Sequence, residues 1–121
     1  MNIDALRMLC LALPEVTEDV KWGQDLCFSV GGKMFCVTQA DVEGATSFKT
    51  DPDQFEVLLA KDGIDPAPYL ARYHWVSVKA FAVLSDVEWE ECVRRSYALV
   101  VEKLSKKRPA STFRRIETPE N

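Results

Sequence analysis

Apolar residues recur every three or four positions near the start of the chain, at Ile3, Leu6, Leu9, Cys10 and Leu13. This spacing places them on one face of an α-helix. Asn2 can cap the helix, because its side chain accepts a hydrogen bond from a free backbone N–H, and Pro14 cannot continue it. The pattern therefore predicts a first helix over residues 3–12.

The pattern then changes to alternation between Val16 and Thr50, with apolar residues at Val20, Trp22, Leu26, Phe28, Val30, Phe35 and Val37. Alternation is typical of strands that bury one face. Gly31-Gly32 separates two of these runs and tolerates the positive φ that a two-residue hairpin turn needs. A longer loop, residues 41–45, precedes a short strand over residues 46–49. We expect a meander of four strands.

The residues Asp51-Pro52-Asp53-Gln54 predict the start of a second helix. Asp51 can cap the helix, and Pro52 suits its first turn. The Gln54 side chain can reach back to the cap, as in a capping box. This helix is expected to end before Gly63. Residues 65–70 suggest one further short helical turn, and residues 75–78 fit a fifth strand.

A second capping box, Ser85-Asp86-Val87-Glu88, opens the longest predicted helix. Its apolar face consists of Trp89, Val93, Tyr97, Val100 and Leu104. The elements together predict an α+β fold in which an N-terminal helix precedes an antiparallel meander of about five strands with helices packed on the sheet. Their predicted order is α-β-β-β-β-α-β-α.

Length and composition fit one globular domain, because two independent cores in 121 residues would each be close to the size at which cores stop stabilising themselves. We assign residues 1–108 to this domain and expect residues 109–121 to form a flexible tail unless a partner holds them. No apolar run reaches the roughly 20 residues that span a bilayer, and no basic signal region opens the chain. These features predict a cytoplasmic protein with no membrane contact.

The net charge of −4 is unevenly distributed along the chain. Residues 1–102 carry a net −8 and residues 103–121 a net +4. An acidic body repels polyanions, so nucleic-acid binding would need a local cationic patch. The candidate residues are Lys33, Lys49, Lys103, Lys106, Lys107 and Arg108. A simpler interpretation is that the cations near the end of the long helix interact with its dipole and with solvent.

Catalytic chemistry has few candidates, because His74 is the only histidine. No nucleophile elbow, zinc-binding helix motif or phosphate-binding loop is present, and the acidic groups at Asp51 and Glu88 fit helix starts. Cys10, Cys27, Cys36 and Cys92 contain no C-x-x-C pair, which predicts buried, reduced thiols. We expect no enzyme activity, no catalytic residues, no cofactor and no metal.

Several short motifs recur in an order that resembles the MmcQ/YjbR-like proteins over about residues 2–108. They are Leu13-Pro14, Trp22, residues 28–35, Phe48-Lys49, residues 66–69, residues 75–78 and residues 96–100. The resemblance implies a small bacterial cytoplasmic α+β protein. It also implies a DNA-binding role in which two β-hairpin wings flank the contact surface.

On this chain the first implied wing is the Gly31-Gly32 hairpin bearing Lys33, and the second is the loop at residues 41–45. Asp41 and Glu43 place negative charge in the second wing, where a phosphate would lie. The first hypothesis is therefore a duplex-DNA-binding protein that contacts the phosphate backbone through the six basic candidates.

The second hypothesis is a protein- or peptide-binding module with an apolar groove near Trp22, Tyr69 and Trp75. An acidic body suits this partner better than it suits DNA. In either case we expect a monomer or a weak dimer.

Overall fold

An antiparallel sheet with helices on one face forms the fold in this computed structural model, which describes residues 1–40 and 45–107, the side chain of Lys107 excepted. The helices are α1 (Ile3–Leu11), α2 (Pro52–Leu59) and α3 (Asp86–Lys107). The strands are β1 (Val16–Lys21), β2 (Asp25–Val30), β3 (Lys33–Gln39), β4 (Thr46–Lys49), β5 (Ile64–Pro66) and β6 (Trp75–Val78). Short 3₁₀ turns cover Ala71–Tyr73 and Phe81–Val83.

The strand order in the sheet is β1-β2-β3-β4-β6-β5, and every adjacent pair is antiparallel. The first four strands form the predicted meander. The chain then passes through α2 to β5 at the far edge, and β6 returns between β5 and β4. The α+β class and the helix at each end of the domain are confirmed.

The sheet contains one strand more than the predicted five. Ile64 pairs with Val78 and Pro66 with Val76, so residues 64–66 are extended where a helical turn was expected. That expectation is wrong, and the 3₁₀ turn begins only at Ala71. An edge strand accommodates Pro66, which has no N–H to donate, and three residues are too few to show alternation.

Two predicted helix starts have the expected capping contacts. The Asn2 side chain accepts a hydrogen bond from the Ala5 backbone N–H at 2.8 Å. In the capping box, the Glu88 N–H donates to the Ser85 hydroxyl at 3.1 Å, and the Ser85 N–H donates to Glu88 at 2.9 Å. Local hydrogen bonding therefore fixes where α1 and α3 begin.

At the start of α2, one of the two predicted capping contacts is present. Asp51 accepts a hydrogen bond from the Gln54 N–H at 2.8 Å and acts as the N-cap. The Gln54 side chain does not reach back to Asp51; its Nε2 donates to the sulfur of Cys92 on α3 at 3.6 Å. A tertiary contact replaces the second half of the capping box.

Helices α1 and α3 lie on the same face of the sheet. Directly paired residues share a face, and one such row runs across four strands through Glu18, Phe28, Cys36 and Phe48. Glu18 binds Arg7 of α1 at 2.6 Å, and Phe48 packs edge-on against Trp89 of α3 with ring centroids 6.0 Å apart. The core fills the space between this face and the two helices.

Ser96 of α3 connects the two strands at the centre of the sheet. Its hydroxyl donates to the Phe35 carbonyl at 2.6 Å and accepts from the Lys49 N–H at 3.0 Å. The regular pairing of β3 with β4 ends at Cys36 opposite Phe48, one residue before these two groups. The buried hydroxyl therefore bridges the strands where they begin to separate and anchors α3 at that point.

We expect Ser96→Ala to lower the free energy of unfolding by about 1–3 kcal/mol, because it leaves a buried N–H and a buried carbonyl without a partner. Chemical denaturation measures this change. Ser105→Ala, at an exposed position on the same helix, is the matched control and should change stability by less than about 0.5 kcal/mol. Equal effects of the two substitutions would contradict the bridging role.

Candidate nucleic-acid interface

A 3₁₀ turn is held against the end of β4 by two hydrogen bonds. The backbone N–H and the hydroxyl of Thr50 both donate to the His74 carbonyl, at 2.8 and 2.7 Å. His74 follows the turn Ala71–Tyr73 in the left-handed region, with φ 65°, and its ring meets Phe55 edge-on with centroids 5.3 Å apart. His74 therefore has a structural role, and it fixes Arg72 and Tyr73 close to Lys49.

Two cations approach the ring of Tyr73, which is partly exposed. The Arg72 guanidinium carbon lies 4.9 Å from the ring centroid, and the Lys103 ammonium of α3 lies 5.8 Å from it. Both distances are in the range of attractive cation–π contacts. We call Lys49, Arg72, Tyr73 and Lys103 the basic cluster.

Lys49 is the most enclosed cation of the basic cluster. Burial lowers the pKa of its ammonium below the ordinary value, and the positive charge of Lys103 lowers this pKa further. Two like charges therefore lie close enough to repel each other in a partly desolvated place. An anion placed between them would reduce both costs, because it replaces lost water contacts and offsets the repulsion.

The cations of the basic cluster differ from most others in having no carboxylate partner within the described part of the chain. Six basic side chains form ion pairs with carboxylates: Arg7, Lys61, Lys79, Arg94, Arg95 and Lys106. Lys49, Arg72 and Lys103 form none with any described residue, so their charge is not neutralised locally. They share this property with the exposed Lys21 and Lys33, and an external anion could pair with them.

The other four residues predicted to contact phosphate are not part of the basic cluster. Lys33 is exposed at the start of β3, at the same end of the sheet as Lys49, since Cys36 pairs with Phe48. Lys106 is bound to Glu102 at 3.7 Å. The Lys107 side chain and Arg108 lie outside the described residues. Of the six predicted residues, the structure brings Lys49 and Lys103 together.

Of the two predicted wings, the first lies within the described residues. Gly31-Gly32 joins β2 to β3 at the Lys49 end, whereas β3 and β4 are joined at the other end, where Thr38 pairs with Thr46. Consecutive turns of a meander alternate in this way. Residues 41–44 themselves lie outside the described residues.

The aromatic residues predicted to line a groove are also separated. Trp22 is 69% exposed beyond β1, at the end of the sheet away from Lys49. Trp75 is 5% exposed and lies at the other end of the sheet, on β6, where it pairs with Lys49. Strand β6 is four strands away from β1. Tyr69 is 98% exposed in the loop before Trp75. The structure does not bring Trp22 into contact with the other two.

The cysteines are buried, as predicted, and none forms a disulfide. Burial raises the pKa of Cys92 to about 11, so its thiol stays protonated at neutral pH. Among the described residues, no group of three or more metal-ligating side chains lies together, and no helix is both long and apolar enough to cross a bilayer. The basic cluster is therefore the site to interpret.

The family comparison supports the resemblance seen in the motifs. The YjbR family model matches residues 11–99. The chain belongs to the YjbR family. No curated protein matches it. The family match includes three cations at one end of the sheet, Lys33, Lys49 and Arg72, and stops before Lys103.

Sequence reasoning missed two members of the basic cluster, Arg72 and Tyr73. Their position depends on β4 pairing with β6, which sets Lys49 opposite Trp75 and so brings the preceding turn close to Lys49. The only signal in the sequence is an arginine and a tyrosine just before a predicted strand. That signal has no meaning until the strand order is known.

We expect Lys103→Met in this YjbR-family protein to raise the pKa of Lys49 part of the way towards its ordinary value, because the repulsion is removed while burial remains. Titration of the lysine side chains by ¹³C NMR measures this pKa. Lys106→Met is the matched control, since Lys106 is paired with Glu102, and it should leave the Lys49 pKa unchanged. The same rise in both variants would show that proximity to Lys103 is not the cause.

Proposed function

We propose that this protein binds duplex DNA through the phosphate backbone, with the basic cluster as the principal contact. The observation that carries the proposal is that Arg72 and Lys103 both approach the partly exposed ring of Tyr73, while the charge of Lys103 also acts on Lys49. Three cations without an ion-pair partner among the described residues, from β4, a 3₁₀ turn and α3, are linked in this way. In a chain with a net charge of −4, such a cluster is the local patch that polyanion binding requires.

The chemistry of the basic cluster suits phosphate better than base edges. Arg72 offers a planar fork of N–H donors that matches two phosphate oxygens, while Lys49 and Lys103 act as point charges. Contacts of this kind position a protein on DNA without reading its sequence. The proposal therefore includes weak or no sequence preference.

Lys33 extends the proposed contact surface. It is exposed beside the Gly31-Gly32 turn at the Lys49 end of the sheet, so a backbone held by the basic cluster could also reach this hairpin. The proposed contact surface therefore combines the first implied wing with the basic cluster. Binding to chromosomal DNA implies a location in the bacterial cytoplasm, which is part of the same proposal.

A peptide site formed by Trp22, Tyr69 and Trp75 has less support. Trp22 and Trp75 lie at opposite ends of the sheet, and Trp75 is buried. One ligand would have to cross the sheet to touch both. The DNA hypothesis is therefore the better supported of the two.

Fluorescence anisotropy of a labelled duplex, titrated at salt concentrations from 50 to 200 mM, tests the proposal. Each neutralised phosphate contributes about −0.9 to the slope of log K against log salt. We expect the triple variant Lys49→Gln, Arg72→Gln and Lys103→Gln to bind more weakly and to have a slope that is less steep by roughly 2–3.

The matched control removes three paired cations, Lys61→Gln, Lys79→Gln and Lys106→Gln, and so makes the same change in net charge. We expect its salt slope to stay close to that of the unmodified protein. Equal loss of binding in both triple variants would assign the effect to net charge alone. No binding of the unmodified protein at 50 mM salt would contradict the proposal itself.

A further inference from the structure

A groove of about 1010 Å³ lies between α2 and α3, and the basic cluster does not line it. Its apolar walls are formed by Val57, Leu58, Leu84, Ala98, Leu99 and Val101. A second cavity of about 520 Å³ at the start of α2 shares Gln54, Val57 and Arg95 with it. Val57 is 67% exposed in the middle of this surface. An apolar side chain could cover it.

The polar groups of the groove are mostly hydrogen-bond acceptors. Gln54 Oε1 is buried without a hydrogen-bond partner among the described residues, which is costly unless a donor reaches it. Arg94 and Arg95 are already paired with carboxylates. Glu91, which lines the groove, and Asp53, which lines the second cavity, have no ion-pair partner among the described residues. The groove and the adjoining cavity therefore suit an occupant that combines apolar groups with N–H donors and positive charge.

The chain itself continues with a segment of this chemistry. Residues 113–116 read Phe-Arg-Arg-Ile, which provides two apolar side chains and two cations. Ser105 lines the groove and α3 ends at Lys107, so the following residues begin next to it. From Ser105 back to Glu91 the helix rises about 21 Å, and residues 109–116 can span about 26 Å. The segment is long enough to reach the far end.

We propose that residues 109–116 bind back into the groove between α2 and α3. Phe113 and Ile116 cover its apolar walls, and the two arginines lie towards Glu91 and Asp53. The site is separate from the basic cluster, because no cluster residue lines the groove. This intramolecular contact is independent of the proposed DNA binding, so either can fail alone.

The test uses the full chain with Thr118→Cys carrying a nitroxide spin label. The four native cysteines are buried, so the label attaches selectively to the engineered thiol. We expect the backbone amide NMR signals of Val57 and Glu91 to be much weaker with the paramagnetic label than in the same sample after the label has been reduced. The amide signals of β1, which forms the edge of the sheet opposite β5, should keep their intensity.

A pair of matched variants of the labelled chain locates the contact. Val57→Lys places a cation in the groove and should restore the intensities, because it repels the arginines and removes an apolar contact. Val87→Lys is the control, since Val87 is equally exposed at 68% but does not line the groove. The double substitution Phe113→Ser and Ile116→Ser should restore the intensities as Val57→Lys does.

Three results would overturn the proposal. The first is loss of signal that Val57→Lys does not reverse. The second is loss spread evenly over the exposed surface, or centred on the basic cluster. The third is loss that appears on an isotope-labelled chain mixed with a spin-labelled one, which would assign the groove to a second copy instead.

Discussion

The hydroxyl of Ser96 is the contact on which the arrangement of the site depends. It satisfies the Phe35 carbonyl and the Lys49 N–H where β3 and β4 stop pairing directly, and it does so from α3. One side chain thus fixes the position of a helix relative to the strand end that carries Lys49. Because Lys103 lies two turns further along the same helix, its approach to Tyr73 follows from this anchor.

Local pairing of charge, rather than total charge, distinguishes the candidate interface. Most of the described cations are neutralised by a carboxylate within a salt bridge, even though the chain as a whole is acidic. In the basic cluster, Arg72 and Lys103 instead approach the ring of Tyr73, and the pKa of Lys49 is lowered by burial and then by the charge of Lys103. Groups with shifted pKa values are more frequent at functional sites than elsewhere, because a bound ligand can offset the cost of such a shift.

Sequence patterns were sufficient for the elements whose signals are local. Asn2, Asp51 and Ser85 cap helices as predicted, since a capping hydrogen bond joins residues three positions apart. The short strand β5 was missed because pairing with β6, and not its own three residues, makes it extended.

The candidate site was predictable only in part, for the same reason. Lys49 and Lys103 were identified from their chemistry, whereas Arg72 and Tyr73 join them through a strand pairing that no local pattern encodes. The second implied wing, at residues 41–45, lies mostly outside the described residues, so the two-wing arrangement stays a prediction. Long-range pairing thus decides which of the predicted residues meet.

Helix α3 contributes to both proposed binding surfaces, but with residues on different faces of the helix. Glu102 lines the groove towards α2, and the next residue, Lys103, reaches Tyr73, because successive side chains on a helix point about 100° apart. The groove face of the helix therefore carries carboxylates together with two arginines that are already paired, while the other face contributes a cation without an ion-pair partner among the described residues. A basic segment bound in the groove would be attracted to the first face and repelled by the second. Occupation of the groove therefore leaves the basic cluster open to a polyanion.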